Sequence, residues 1–270
     1  MRSASDPLIP DDLAIRAEDV TIRYRTQYEK VPTLKSALKR RLGRREGRKK
    51  AYRIVEAVRG VSFDVPHGTV MGIVGANGAG KSTMMRVLAG ILAPTEGRVI
   101  VNGQVSTLLS LGVGFNATLS GRENVILGGL AAGLSVDALQ EKFEEIAEFA
   151  DLPEGFIDMP MRTYSSGMYG RLAFAVSVNM EPDILLIDEA LATGDAAFKE
   201  KSLGKMHELV GEARTIVIVS HALGTIRELC NRAIWMHNGE LIQIGDPDSV
   251  VEAYMKFLKV GESAIALEDV

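Results

Sequence analysis

The chain has 270 residues, of which 46% are hydrophobic and 24% charged, with a net charge of −4 and a single cysteine, Cys230. That composition suits a globular protein with a sizeable core, and one cysteine excludes an internal disulfide and fits a reducing compartment. No apolar run approaches the roughly 18–20 residues of a membrane span, and the polar stretch Met1 to Asp12 has no secretory leader's apolar centre.

Leu13, Ile15, Val20, Ile22 and Tyr24 alternate loosely and predict an edge strand over residues 13 to 24. A basic insertion follows. Between positions 35 and 53 lie Lys35, Lys39, Arg40, Arg41, Arg44, Arg45, Arg48, Lys49, Lys50 and Arg53, against one acid, Glu46. The segment is therefore +9 and the rest of the chain −13. Leu34, Leu38 and Leu42 mark a single apolar helical face at its start, broken by Gly43 and Gly47. A cationic block on an acidic body suits anionic lipid headgroups, a pyrophosphate or nucleic acid; a solvated insertion without a partner is the plainer reading.

A second strand is expected over Ile54 to Val65, and Pro66-His67-Gly68 turns the chain into the apolar strand Val70 to Val74. Next comes Gly75-Ala76-Asn77-Gly78-Ala79-Gly80-Lys81-Ser82-Thr83, leading into Met84 to Leu88. Strand, glycine-rich loop and helix in this order are the context that a G-x-x-x-x-G-K-[ST] phosphate loop requires. The glycines let successive N–H groups converge on an anion, and the helix N-terminus adds partial positive charge. Lys81 would reach the β- and γ-phosphates of a nucleoside triphosphate, and Ser82 would place its hydroxyl on Mg²⁺.

Val99 to Val101 with Asn102-Gly103 predicts a hairpin into Val105 to Leu111. Leu139, Phe143, Ile146, Ala147 and Ala150 mark the clearest amphipathic helix, between Leu134 and Leu152, with Ser135 as its N-cap. Another helix should run from near Gly167 to about Met180. Ile184 to Ile187 and Ile216 to Val219 are continuous apolar runs, as expected of strands buried on both faces of a parallel sheet. A helix over Thr225 to Asn231, a hairpin about Asn238-Gly239 and a helix over Ser249 to Leu258 complete the order, with Cys230 read as a buried side chain without chemistry. Strands alternating with helices predict an α/β nucleotide-binding fold. Asp188-Glu189 ends the strand after Ile184, where such folds hold magnesium; Asp188 would be the metal-side acid and Glu189 could orient or deprotonate water.

Further motifs make the resemblance specific. Tyr164-Ser165-Ser166-Gly167-Met168-Tyr169-Gly170-Arg171 resembles the ABC-type signature L-S-G-G-Q-x-x-R, keeping Ser165, Gly167 and Arg171. Gly194-Asp195 resembles the D-loop, and Ser220-His221 the switch histidine. The resemblance to ABC ATPases covers residues 13 to 258 and implies a core parallel sheet, an antiparallel β subdomain and a small helical subdomain at about 116–180. It implies ATP and Mg²⁺ as cofactors and a homodimer in which Ser165 and Gly167 of one copy cover the γ-phosphate held by the other. It also implies that His221 contacts that phosphate, that Asp195 couples the two sites, and that Tyr24 stacks on adenine, with Tyr28 a competitor.

The signature Tyr-Ser-Ser-Gly-Met is similar to that of ATPases that drive export of lipid-linked polysaccharides such as O-antigen and teichoic acid. Leu111-Gly112-Val113-Gly114-Phe115 with Leu119-Ser120-Gly121-Arg122-Glu123-Asn124 resembles the same branch, as does the basic insertion at 33–53. The resemblance implies two copies of a polytopic permease, a place at the cytoplasmic face of the plasma membrane, and no nucleic acid. Two departures stand out. Gln104 comes too early for the glutamine that contacts the permease, leaving Ser110 or Asn116 as the nearest polar candidates. Residues 259–270 read as a tail with no carbohydrate-binding domain after them. The glycan stays open, a cell-wall galactan included, as do an ATPase acting on ribosomes or nucleic acid and one serving a small-molecule exporter.

Overall fold

The computed structural model describes residues 10–28, 51–107, 115–131, 134–179, 182–188, 196–212 and 214–260. Strand β1 (Leu13–Tyr28) lies between β2 (Ala51–Pro66) and β4 (Glu96–Val101) in an antiparallel sheet of order β2-β1-β4. The edge position expected for β1 is thus corrected: it pairs on both sides, Ile15 opposite Val65 in β2 and Val101 in β4. Its alternation is loose because the strand bulges. Asp19 takes a left-handed φ of +53°, with register shifts on either side, and its N–H donates to Ser62 Oγ at 2.8 Å.

The second sheet has the order β5-β6-β7-β3-β8-β9. Its strands β5 (Val105–Thr107), β6 (Ile184–Asp188), β7 (Thr215–Val219), β3 (Val70–Val74) and β8 (Arg232–His237) are parallel, while β9 (Glu240–Gly245) runs antiparallel to β8. Every residue of β3 and β7 is buried, the pattern expected from their unbroken apolar runs. The hairpin expected at Asn102-Gly103 does not form, because the chain crosses there from one sheet to the other. Asn102 N–H still donates to Ala14 O at 2.8 Å, whereas Gln104 N–H is captured by the Asp183 carboxylate at 2.8 Å beside β6.

The helices are α1 (Lys81–Leu88), α2 (Gly121–Ala131), α3 (Val136–Ala150), α4 (Ser166–Asn179), α5 (Ala196–Gly211), α6 (Leu223–Leu229) and α7 (Pro247–Val260). Helix α3 starts as its sequence predicts, with Ser135 Oγ accepting the Ala138 N–H at 3.2 Å. Two helices lack a clear apolar stripe and are not legible from periodicity. In α2, Gly128 and Gly129 dilute the pattern, yet Ser120 and Glu123 form a reciprocal capping box at 2.7 and 3.2 Å that the S-x-x-E spacing signals. In α5 the buried face reads Phe198, Ser202, Met206 and Leu209, so a serine interrupts the stripe.

Three apolar cores result. One joins the antiparallel sheet to α1 through Ile15, Ile22, Met71, Ile73, Met84 and Met85. A second fills the other face of the parallel sheet with Phe174, Phe198, Ile226, Trp235, Tyr254 and Phe257. Cys230 lies there against Gly72, buried as expected, and burial pushes its thiol up to about 12. The third unites α2, α3 and α4 around Val125, Leu139, Phe143, Ile146 and Leu172.

Asn124, fully buried at 0% exposure, organises the loop before α2. Its Nδ2 donates to Asn116 O, Leu119 O and Ser120 O at 3.0, 3.3 and 2.8 Å, and its Oδ1 accepts the Asn116 N–H at 2.7 Å. Asn124→Ala strips these partners and should lower unfolding stability by about 2–4 kcal/mol in urea titrations. A change within experimental error would contradict this role.

Candidate nucleotide-binding site

Between Val74, which ends β3, and Lys81, which opens α1, the chain curls through glycines with φ of +147° at Gly75, +82° at Gly78 and +102° at Gly80. Two of these positions also exclude a side chain. A Cβ at Gly75 would lie 2.2 Å from Met236 O, and one at Gly80 would lie 2.4 Å from Ala57 O. Ala79 N–H closes the turn onto Ala76 O at 3.1 Å. Asn77 and Gly78 are exposed at the tip, Ser82 is exposed and Thr83 half-buried. Lys81 is only 6% exposed, and its Nζ donates to Gly75 O at 2.7 Å and to Ala76 O at 3.1 Å. The cation is held within the loop, as a triphosphate site needs it.

The parallel order brings further groups to the same edge. Strand β7 lies between β6 and β3, so Asp188, which ends β6, and His221 and the phosphate loop, which follow β7 and β3, share the C-terminal edge of the sheet. Two strand spacings, about 10 Å, separate the β6 and β3 backbones. Ala222 N–H donates to Ser220 Oγ at 3.0 Å, tightening the turn on which His221 is exposed. Ser82 and Asp188 offer a hydroxyl and a carboxylate, the hard oxygen donors that Mg²⁺ prefers. Among the described residues no three His, Cys, Asp or Glu side chains cluster as a metal site. A hydroxyl and a carboxylate fit two positions of such a cation, whose other ligands a bound polyphosphate and water would supply. Glu189 and Asp195 lie outside the described residues.

The signature segment sits on the helical layer, apart from this edge. Ser165 caps α4, its Oγ accepting the Met168 N–H at 3.2 Å and its carbonyl the Tyr169 N–H at 3.0 Å. Both bonds stay within the first turn of α4. A Cβ at Gly167 would approach Ser165 Oγ no closer than 3.8 Å, so packing within this chain does not demand glycine there. Tyr164, where the signature usually has leucine, is an anchor: its hydroxyl donates to Phe156 O at 2.6 Å, and burial raises its phenol above the ordinary range. Arg171 donates to Asp151 O at 3.0 Å and so ties α4 to the end of α3.

Tyr24 is half-buried on β1, opposite Val55, and packs against the first core; the Tyr28 side chain lies outside the described residues. Sequence reasoning missed one contact with the loop. The Asn238-Gly239 turn, read only as a hairpin, donates the Gly239 N–H to Ala79 O at 3.0 Å. Nothing in either local sequence signals that meeting, since a long stretch of chain separates them.

A parallel sheet with a phosphate loop, an antiparallel sheet beside it and a helical layer carrying the signature together define an ATP-binding cassette. Two solved structures share that fold. A cassette solved as a dimer in a post-hydrolysis state bound to ADP and phosphate has a TM-score of 0.65, at 21% identity, over 86% of this chain and 98% of its own. An ATP-binding subunit of an ABC transporter has a TM-score of 0.68, at 20% identity, over 94% of this chain and 98% of its own.

The chain belongs to the ABC transporter family of ATP-binding proteins, whose profile matches residues 58–192. It is 43% identical over 256 residues to the O-antigen export system ATP-binding protein RfbB of Myxococcus xanthus, covering 94% of this chain and 58% of that protein. It is 44% identical over 203 residues to the teichoic acids export ATP-binding protein TagH of Listeria innocua, covering 75% of this chain and 60% of that one. The ABC transporter protein AbcA of Aeromonas salmonicida is 43% identical over 206 residues, 76% of this chain and 67% of its own. The chain thus spans about three fifths of the length of RfbB and TagH.

Lys81→Ala removes the cation from the loop. It should raise the ATP dissociation constant at least tenfold, about 1.4 kcal/mol, in equilibrium binding. Undiminished affinity would remove the loop from the phosphate site.

Proposed function

We propose that this chain is the ATP-hydrolysing subunit of an ABC exporter that moves a lipid-linked polysaccharide across the cytoplasmic membrane. The observation that carries the reading is 43% identity to an O-antigen export ATP-binding protein along 94% of the chain. The glycan classes that fit are O-antigen, teichoic acid and cell-wall galactan. Residues 13–258 form the nucleotide-binding domain, with a helical subdomain at about 116–180.

In this reading the loop Gly75 to Thr83 and the Lys81 ammonium bind the phosphates, while Tyr24 stacks on adenine. Ser82 and Asp188 hold Mg²⁺, which when bound neutralises developing charge on the phosphate oxygens. Glu189 orients or deprotonates the attacking water, and His221 steadies the γ-phosphate from the end of β7. Ser165 is exposed and Gly167 half-exposed at a helix N-terminus that, among the described residues, has its recorded cap bonds within its own first turn. They present an anion site to the ATP of a second copy. Asp195 couples the two sites. ATP then joins the copies head to tail, and its hydrolysis lets them separate.

Closure of the pair would drive two copies of a membrane permease. The apolar surface of α2, where Ile126, Leu127 and Leu130 are exposed, offers the permease a seat. Among the described residues no helix is long and apolar enough to cross a membrane, which fits a peripheral subunit at the cytoplasmic face. The segment Lys35 to Arg53 supplies cations for the pyrophosphate of the lipid-linked glycan or for anionic headgroups around it.

Glu189→Gln should retain ATP binding and reduce turnover by at least a hundredfold in a phosphate-release assay; near-normal turnover would remove Glu189 from the water's path. Replacing Arg40, Arg41, Arg44 and Arg45 together by Ser should impair glycan export in cells far more than ATPase activity of the isolated chain. Equal loss of both, or of neither, would count against the cationic segment's role.

A further inference from the structure

The turn between β8 and β9 does more than reverse the chain. Asn238 and Gly239 have φ of +49° and +86°, the left-handed pair of a type I′ turn. Two backbone hydrogen bonds leave this turn for other elements. Gly239 N–H donates to Ala79 O at 3.0 Å, and Gly239 O accepts the Arg59 N–H at 2.8 Å. One residue thereby joins the phosphate loop to β2. The surroundings are backbone against backbone: a Cβ at Gly80 would come within 3.5 Å of Gly239 Cα, and one at Gly239 within 3.0 Å of Ala57 O.

Peptide planarity converts this contact into positioning. The carbonyl of Ala79 and the N–H of Gly80 belong to one trans peptide and point in opposite directions. Gly239 draws the Ala79 oxygen toward the hairpin, so the Gly80 N–H is turned away from it, across the loop. The neighbouring Ala79 N–H is already committed to Ala76 O at 3.1 Å. Glycine at position 80 leaves this peptide free to rotate unless something outside the loop holds it.

We propose that Gly239 is a positioning residue for nucleotide binding: it holds the Ala79–Gly80 peptide so that the Gly80 N–H faces a phosphate. This rests on the loop being the triphosphate site. A side chain at 239 strains the left-handed backbone and pushes the turn off Ala57, releasing the Ala79 carbonyl.

The test uses the full chain with MgATP as probe and compares Gly239→Ala, Gly239→Asn and Gly245→Ala. Gly245 lies on the same hairpin, has no left-handed φ and has open space where a methyl group would go, so it serves as the control. The expected result is a tenfold or greater rise in the ATP dissociation constant for Gly239→Ala. Gly239→Asn should recover some of that loss, because Asn tolerates the left-handed region, and Gly245→Ala should bind as the wild type does. The thermal midpoint of Gly239→Asn without nucleotide should stay within a few degrees of wild type. Wild-type affinity in Gly239→Ala overturns the proposal, as does an affinity loss that merely tracks lost folding stability in both variants. Failure of the wild type itself to bind ATP would instead overturn the reading of the loop.

Discussion

A buried ammonium ion held by two backbone carbonyls of its own loop is the constraint around which this molecule is arranged. Lys81 Nζ lies 2.7 Å from Gly75 O and 3.1 Å from Ala76 O, and a cation so placed needs those oxygens or a bound anion nearby. The loop can fold around it only because Gly75, Gly78 and Gly80 take backbone angles that other residues avoid. Close neighbours also leave no room for a side chain at Gly75 or Gly80. Met236 O crowds Gly75, Ala57 O crowds Gly80, and the first core buries Met84 and Met85 of α1 beneath the antiparallel sheet. The geometry of this loop is therefore a property of two sheets clamped together and not of nine residues in isolation.

The parallel sheet does the remaining assembly. With β7 between β6 and β3, Asp188, His221 and the loop are carried to one edge by strand order alone, although their positions in the chain are far apart. The signature follows a different logic. Ser165 caps its own helix, Tyr164 is pinned by Phe156, and Arg171 is tied to Asp151, so the segment is rigid yet turned to another layer. In the proposed pairing this rigid segment would meet the nucleotide of a second cassette.

Much of this is legible in the sequence. The phosphate loop, the buried strands Ile184 to Ile187 and Ile216 to Val219, and helix α3 with its Ser135 cap announce themselves because burial and capping leave local patterns. What stayed hidden depends on distant partners. Asn102-Gly103 looks like a hairpin turn, and only the Asp183 carboxylate, which captures Gln104, shows that the chain changes sheets there. The edge reading of β1 failed because the bulge at Asp19 disguised a strand paired on both sides. Helix α5 escaped because Ser202 sits on its buried face, whereas α2 could have been found from the Ser120 and Glu123 spacing alone. The Gly239 contact with Ala79 had no local signal at all.

The central claim is that two copies close head to tail over shared ATP, and disulfide trapping tests it most directly. With Cys230 replaced by Ser, cysteines at Asn77, exposed at the tip of the phosphate loop, and at Ser166, exposed at the start of α4, would face each other only across such a pair. Chains carrying both should form covalent dimers under mild oxidation when ATP is present in the slowly hydrolysing Glu189→Gln background, and few without nucleotide. Absence of ATP-dependent dimers, or equal trapping with and without ATP, would contradict the account.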